Sequence, residues 1–303
     1  MRAMWLFFAL ASPAIFAVVN ILDSILVHKY EKNPVIIMWF FGILRVVIIS
    51  SFPFFFDIST SHWWVLVGLG AVMSLGLMLY LRILENVDTS VTQSSWAIES
   101  IILSIFGFAF LSESWTLMQT IGAVLILTSV FILSYAHHHA SVIRTLARFS
   151  ALAFVVAIAE FGVKYILTLG VPYVTVLFWY VLGTGLTSIV LPIFSTDFWN
   201  RIRTILRTAP RAFYACLILD MSLAFLGFAC LVKAFEIGML SLVTIAGNLH
   251  PFFVIFFAWT LMQTKATHVP KELLSVQSIT IKLLCFTIVL VGLTLLILNG
   301  IAP

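Results

Sequence analysis

Two ionisable side chains stand where hydrocarbon would make them costly. Glu99 lies at the centre of the apolar stretch Thr89–Glu113, and His250 at the centre of Leu240–Met262. A charge at membrane mid-depth costs on the order of 3 kcal/mol even on insertion scales, so such a group usually faces a cavity or a partner and marks function. A carboxyl and an imidazole at one depth could pass a proton between them, or recognise a zwitterion. The plainer alternative is a satisfied interhelical hydrogen bond.

Further polar groups interrupt apolar runs. Asp23, Glu160 and Lys164 form a second set. Glu160 and Lys164 are spaced i,i+4 on one helix face, so they can pair with each other, or line a cavity with Asp23 opposite. Asp220 lies too deep in its run for a routine interfacial charge. Trp96 shares a helix face with Glu99, which suits a substrate wall better than an interfacial anchor. Tyr80 is a second aromatic wall, as Trp39 and Trp179 could be. Asn20, Gln93, Thr244 and Asn248 could supply neutral hydrogen bonds. Arg45, midway along an apolar run, reads as paired with an acid or snorkelling. His137–His139 reads as a solvated connector, since consecutive residues on a helix end point in different directions. The basic run Arg201–Arg211 reads as a topology signal touching lipid headgroups. Cys216, Cys230 and Cys285 lie in apolar runs as packing residues, with no disulfide or metal spacing. No cofactor or metal site is expected. No P-loop, zinc-helix or Gly-x-Ser-x-Gly pattern occurs, so neither hydrolytic chemistry nor nucleotide-driven transport is expected.

The elements that must hold these groups are membrane helices. Of 303 residues, 62% are hydrophobic and only 9% charged, and the mean hydropathy is +1.16. Average soluble domains are about 25% charged. Apolar runs long enough to span recur ten times, at 4–27, 34–56, 63–84, 89–111, 116–136, 150–170, 172–194, 211–232, 240–262 and 280–299. They are continuous rather than alternating, which favours helices over a barrel. The first run is too long for a cleavable leader. Leu169–Pro172 leaves room only for a tight helical hairpin.

The chain reads as a repeat. A shift of 151 residues sets Gly76 on Gly227, Arg82 on Lys233, Glu85 on Glu236, Ser90 on Ser241 and Glu99 on His250. Five spans per copy is odd, so the second copy enters the membrane from the opposite side. The expected fold is all-α and polytopic: ten transmembrane helices as two inverted five-helix repeats. Residues 1–136 form the first, 137–149 a connector and 150–303 the second, with the site where they meet. Lys and Arg are biased. Arg2 and Lys233 lie on the side of the termini; Lys29, Lys32, Arg82, Arg144, Arg148, Arg201, Arg203, Arg207, Arg211, Lys265 and Lys271 lie on the other. By charge, the termini face away from the cytoplasm.

The stretch LYLRILENVDTSVTQSSWAIESIILSIFGFAFLSESWTLMQTIGAVLILTSVFIL (79–133) is similar to the drug/metabolite transporter superfamily, in its EamA-type branch. Glu113, Gln119 and Gly122 fit the pattern that opens the fifth span, and Pro251, Gln277 and Gly292 echo it in the second half. There are departures: Thr264 stands opposite Glu113, residues 265–276 are an insertion, Ser100 replaces a frequent mid-helix Pro, and the charge bias opposes the usual cytoplasmic termini. The resemblance implies that the first, third, fourth, sixth, eighth and ninth spans line the path, which brings in Asp220. It implies a secondary transporter, and the mixed charge of the candidate residues, acids with Lys164 and His250, suits a small polar or zwitterionic, amino-acid-like metabolite. We expect it to be proton-linked and to work by alternating access in a bacterial-type plasma (inner) membrane. Glu99 would be the protonation or substrate-amine site, with His250 as its partner. An intramembrane lipid-modifying enzyme or lipid-carrier translocase component is the alternative. The expected partners are substrate, possibly protons, and the bilayer, with no nucleic acid; the chain is a monomer or homodimer.

Overall fold

The computed structural model describes residues 4–31, 33–84, 94–135, 142–195, 198–263 and 276–299. The longer helices follow the apolar runs: α1 (Met4–Ile25), α2 (Pro34–Ser50), α3 (Trp63–Leu84), α4 (Ser94–Phe110), α5 (Leu117–Tyr135), α6 (Val142–Thr168), α7 (Tyr173–Ile193), α9 (Arg211–Ile237) and α12 (Val276–Asn299). A short α8 (Phe198–Thr208) and a pair, α10 (Leu240–Gly247) and α11 (His250–Gln263), complete them. Helix is the only regular structure among the described residues. Among the described residues, seven helical stretches are long and apolar enough to cross a membrane, and shorter apolar helices run through Ile98–Phe110, Leu117–Ser129 and Leu284–Leu295. The chain is an integral, multi-pass, all-helical membrane protein.

Local chemistry sets the boundaries. Asn33 caps α2, its side chain accepting the Val35 N–H at 3.0 Å, with Pro34 at the first helical position. α1 widens into a π turn over Leu26–Tyr30 that closes with the Glu31 N–H on the Leu26 carbonyl. Between α6 and α7, Gly170 takes φ +81°, which permits the tight hairpin. α8 buries Phe198, Ile202 and Ile205 and exposes Arg201, Arg203 and Arg207.

Three expected boundaries change. The run 240–262 is not one helix: α10 ends at Gly247 and α11 begins at His250. The Asn248 and Leu249 N–H groups bond three residues back, to Ile245 and Ala246, which tightens the turn, while Pro251 has no N–H to continue the ladder. The run 34–56 leaves the α-helix at Ser50 and turns through Phe52–Phe54, where Pro53 again lacks a donor. α6 starts at Val142, inside the expected connector, whereas His137–His139 lie outside the described residues.

Helices from the first part of the sequence pack mainly on helices from the second. α1 lies against α9, α10 and α11; α2 and α3 against α7; α3 and α4 against α6; α4 against α10; α5 against α12. The α2–α3–α7 contact is close because it is lined with small residues. A Cβ at Gly42 would come to 2.8 Å from the Gly185 carbonyl oxygen, and Ser74 and Ser188 bond across the same seam at 2.8 Å. With lipid tails as apolar as Leu, such backbone approach is what holds membrane helices together.

Candidate functional site

Among these helices lies a cavity of ≈ 190 Å³, walled by α1, α2, α3, α4, α6, α9, α10 and the start of α11. Its wall is apolar apart from a few side chains, which fall into three groups.

The first group joins α1, α3 and α11. Asn20 Nδ2 lies 2.9 Å from His250 Nε2, and the Tyr80 hydroxyl donates to Asn20 Oδ1 at 3.0 Å. All three side chains are buried. With Asn20 Oδ1 taken by the Tyr80 hydroxyl, Asn20 Nδ2 faces His250 Nε2, and the ring also lies near the backbone of Phe16. It can take this position because the broken helix sets it at the first turn of α11, facing α1.

The second group is Glu99 on α4 and Glu160 on α6. Both are buried and line the cavity, their side chains lie close enough for the two charges to act on each other, and Glu99 Oε1 has no hydrogen-bond partner. The repeat-related residues thus do not bond to each other as expected: Glu99 reaches across to α6, and His250 to α1. The helix that carries each residue packs on a different neighbour, which a sequence shift cannot reveal.

The third group is charged. Asp23 on α1 and Arg45 on α2 both line the cavity, and Asp220 on α9 stands behind the wall, fully buried. The charges of both acids act on Arg45. Yet Arg45 Nη1, Asp23 Oδ1 and both Asp220 oxygens have no hydrogen-bond partner. Asp23 also lies within hydrogen-bonding reach of Tyr80, which links this group to the first. Tyr180 on α7, whose buried hydroxyl has no partner, feels both the Glu160 and Arg45 charges.

Of the residues singled out in the sequence, Glu99, His250, Trp96, Asp23, Glu160 and Tyr80 line the cavity. Asn248 does not. It sits in the helix break, where its Nδ2 donates to Ser100 Oγ at 2.7 Å and to the Thr244 carbonyl at 3.1 Å, tying α10 to α4. Lys164 does not pair with Glu160. Its ammonium donates to the carbonyls of Phe235 at 2.6 Å and Gly238 at 2.7 Å, where the end of α9 leaves acceptors free. The i,i+4 spacing permitted the ion pair, but two fixed carbonyls outbid it. Gln93 lies outside the described residues. Arg45, which reads in the sequence as a structural charge, supplies the cavity wall's guanidinium; its mid-span depth was the signal. Among the described residues no cluster of three His, Cys, Asp or Glu side chains could hold a metal.

Glu113 is a helix cap supplied by another helix. Its carboxylate accepts from the Leu240 N–H at 2.5 Å, the Ser241 N–H at 3.0 Å and the Ser241 hydroxyl. It satisfies the first turn of α10, which has no side-chain cap of its own. Trp115 Nε1 donates to the same Ser241 hydroxyl at 2.9 Å.

Residues 3–135 match the model of the EamA-like transporter family. No curated protein matches the chain. A solved crystal structure, described only as that of a protein, aligns with 100% of this chain and 100% of its own, with a TM-score of 0.69 at 12% identity. At that identity the likeness is one of fold.

Proposed function

Starting from residues 3–135, which belong to the EamA-like transporter family within the drug/metabolite transporter superfamily, we propose that the chain is a secondary active transporter. It moves a small polar or zwitterionic, amino-acid-like metabolite, is coupled to protons, and works by alternating access around the cavity. The observation that carries this reading is the Glu99–Glu160 pair: two buried carboxyls on different helices, close together in the cavity wall. A carboxyl pair of this kind can release its proton when the helices that hold it separate, and take one up when they close.

The helix contacts support the two inverted repeats, with α10 and α11 together as the ninth span and α8 as an extra surface helix. Exchange each span for its counterpart five spans on, and most of the large contacts map onto one another, although the close α3–α7 contact has only a slight α2–α9 counterpart. The contact α3–α6 becomes α9–α1, α4–α6 becomes α10/α11–α1, and α2–α7, α5–α12 and α4–α10 map onto themselves. The glycines paired by the 151-residue shift follow the same rule. A Cβ at Gly76 would meet Val156 of α6, and one at Gly227 would meet Phe16 of α1. The cavity lies where the halves meet, as such repeats require. The Lys/Arg bias sets the termini on the non-cytoplasmic side of a bacterial-type plasma membrane.

The test is flux. In proteoliposomes bearing a pH gradient, a panel of amino acids and other small polar metabolites should include at least one whose uptake or release follows the gradient. Glu99→Gln should abolish the coupling. Full rate and unchanged pH dependence in Glu99→Gln would sink the assignment. For orientation, a single cysteine beside Arg203 should resist impermeant thiol labelling from outside intact cells; prompt labelling reverses the topology.

A further inference from the structure

We propose that Arg45 and Asp23 form the clamp that reads the two opposite charges of a zwitterionic substrate, with Asp220 behind the wall as a second acidic charge acting on the guanidinium. The inference rests on the transporter reading above and assigns the residues that set its substrate class. It follows from where the cavity's charges are, and where they are not. A zwitterion needs one cationic and one anionic contact. Lys164 is occupied at the end of α9, and His250 is engaged by Asn20. Arg45 is thus the cation of the described cavity wall.

Its surroundings are unusual for a buried guanidinium. Such a group is normally held by a forked pair of hydrogen bonds from a carboxylate, because leaving it unpaired in a low dielectric is costly. Two carboxylates stand close enough for their charges to act on it, yet Nη1 bonds to neither, and both Asp220 oxygens are also without a partner. The Arg45 guanidinium carbon lies over the Phe41 ring, 5.9 Å from its centroid. Asp23 is buried, lines the cavity and has Oδ1 unpartnered. Both residues thus line one cavity, and each keeps a buried polar atom without a partner. A carboxylate on Arg45 and an ammonium on Asp23 would satisfy both at once. The apolar wall of Met73, Leu77, Phe228 and Val243 would take the remainder of the molecule. The Glu99–Glu160 pair is left for the proton.

The test is binding to the purified full-length protein in detergent. The proteinogenic L-amino acids are screened by thermal shift, and the tightest is compared with its methyl ester and its N-acetyl derivative. Wild-type protein should prefer the free amino acid over both. Arg45→Gln should weaken it by at least about tenfold and erase the preference over the ester. Asp23→Asn should erase the preference over the N-acetyl compound and keep the preference over the ester. Arg45→Lys keeps the charge but not the forked geometry, so it should weaken binding severalfold with the ester still disfavoured; it decides the matter if Arg45→Gln does not fold. The proposal is overturned if no amino acid binds wild-type protein, if Arg45→Gln discriminates ester from acid as wild type does, or if Arg45→Lys binds unchanged. The transport reading fails separately. Amino-acid binding that depends on Arg45, without pH-gradient-driven flux, upholds the clamp and sinks the proton coupling. Gradient-driven flux of a metabolite that lacks one of the two charges does the reverse.

Discussion

Lys164 and Glu113 each bond to the end of a helix to which they do not belong. A membrane bundle has few donors and acceptors to offer the loose ends of its helices, so one charged side chain can answer several at once. Replacing Lys164 with Met should strand the carbonyls of Phe235 and Gly238, which it now bonds. The expected cost is about 1–3 kcal/mol, read as a lower thermal midpoint, with the substrate's half-saturation unchanged because the ammonium does not line the cavity. A raised half-saturation at unaltered stability would return Lys164 to the substrate path. Glu113→Ala should destabilise more than Glu113→Gln, because Gln still accepts from the first turn of α10 while Ala leaves Leu240 and Ser241 without their acceptor. Equal loss in the two variants would mean that the charge, not the acceptor, matters.

Glycine separates two kinds of position within the helices. On α3, a Cβ at Gly70 would run into the backbone of α7 near Tyr180 and Thr184, whereas one at Gly68 meets open space. Gly70→Ala should therefore cost on the order of 1–3 kcal/mol by forcing α3 from α7, while Gly68→Ala should be neutral or slightly stabilising. Thermal midpoints in one detergent compare them directly, and equal midpoints would mean the α3–α7 seam has slack. The break between α10 and α11 is the other feature of this scale. It places His250 at a helix start and frees Asn248 to bond Ser100 across to α4. The Pro251 that helps make the break is visible in the sequence. Whether the run bends or merely kinks depends on the neighbours that receive the freed groups.

At the level of the molecule, neither half is a bundle of its own. α1 packs on α9, α2 on α7, α4 on α6 and α5 on α12, so each copy of the expected repeat lends its helices to the other. One buried cluster accordingly joins Ala9, Leu66 and Leu103 to Val163, Phe235 and Val289. A chain cut between residues 136 and 142 should yield stable protein only when both pieces are co-expressed. A C-terminal piece that purifies as a folded monomer alone would contradict the interleaved packing.

Composition and continuous apolar runs were sufficient, by themselves, for an all-helical membrane protein, because each run must satisfy its backbone internally in lipid. The mid-span acids, Tyr80 and the histidine were also legible, because a polar group at that depth stands out against its neighbours. Who pairs with whom was not. Glu99 meets Glu160, His250 meets Asn20, Lys164 leaves Glu160 for the end of α9, and Arg45 turns toward the cavity. Spacing along one helix says which residues share a face. It says nothing of which other helix that face will touch, and in a bundle whose halves interleave, that choice decides every one of these contacts.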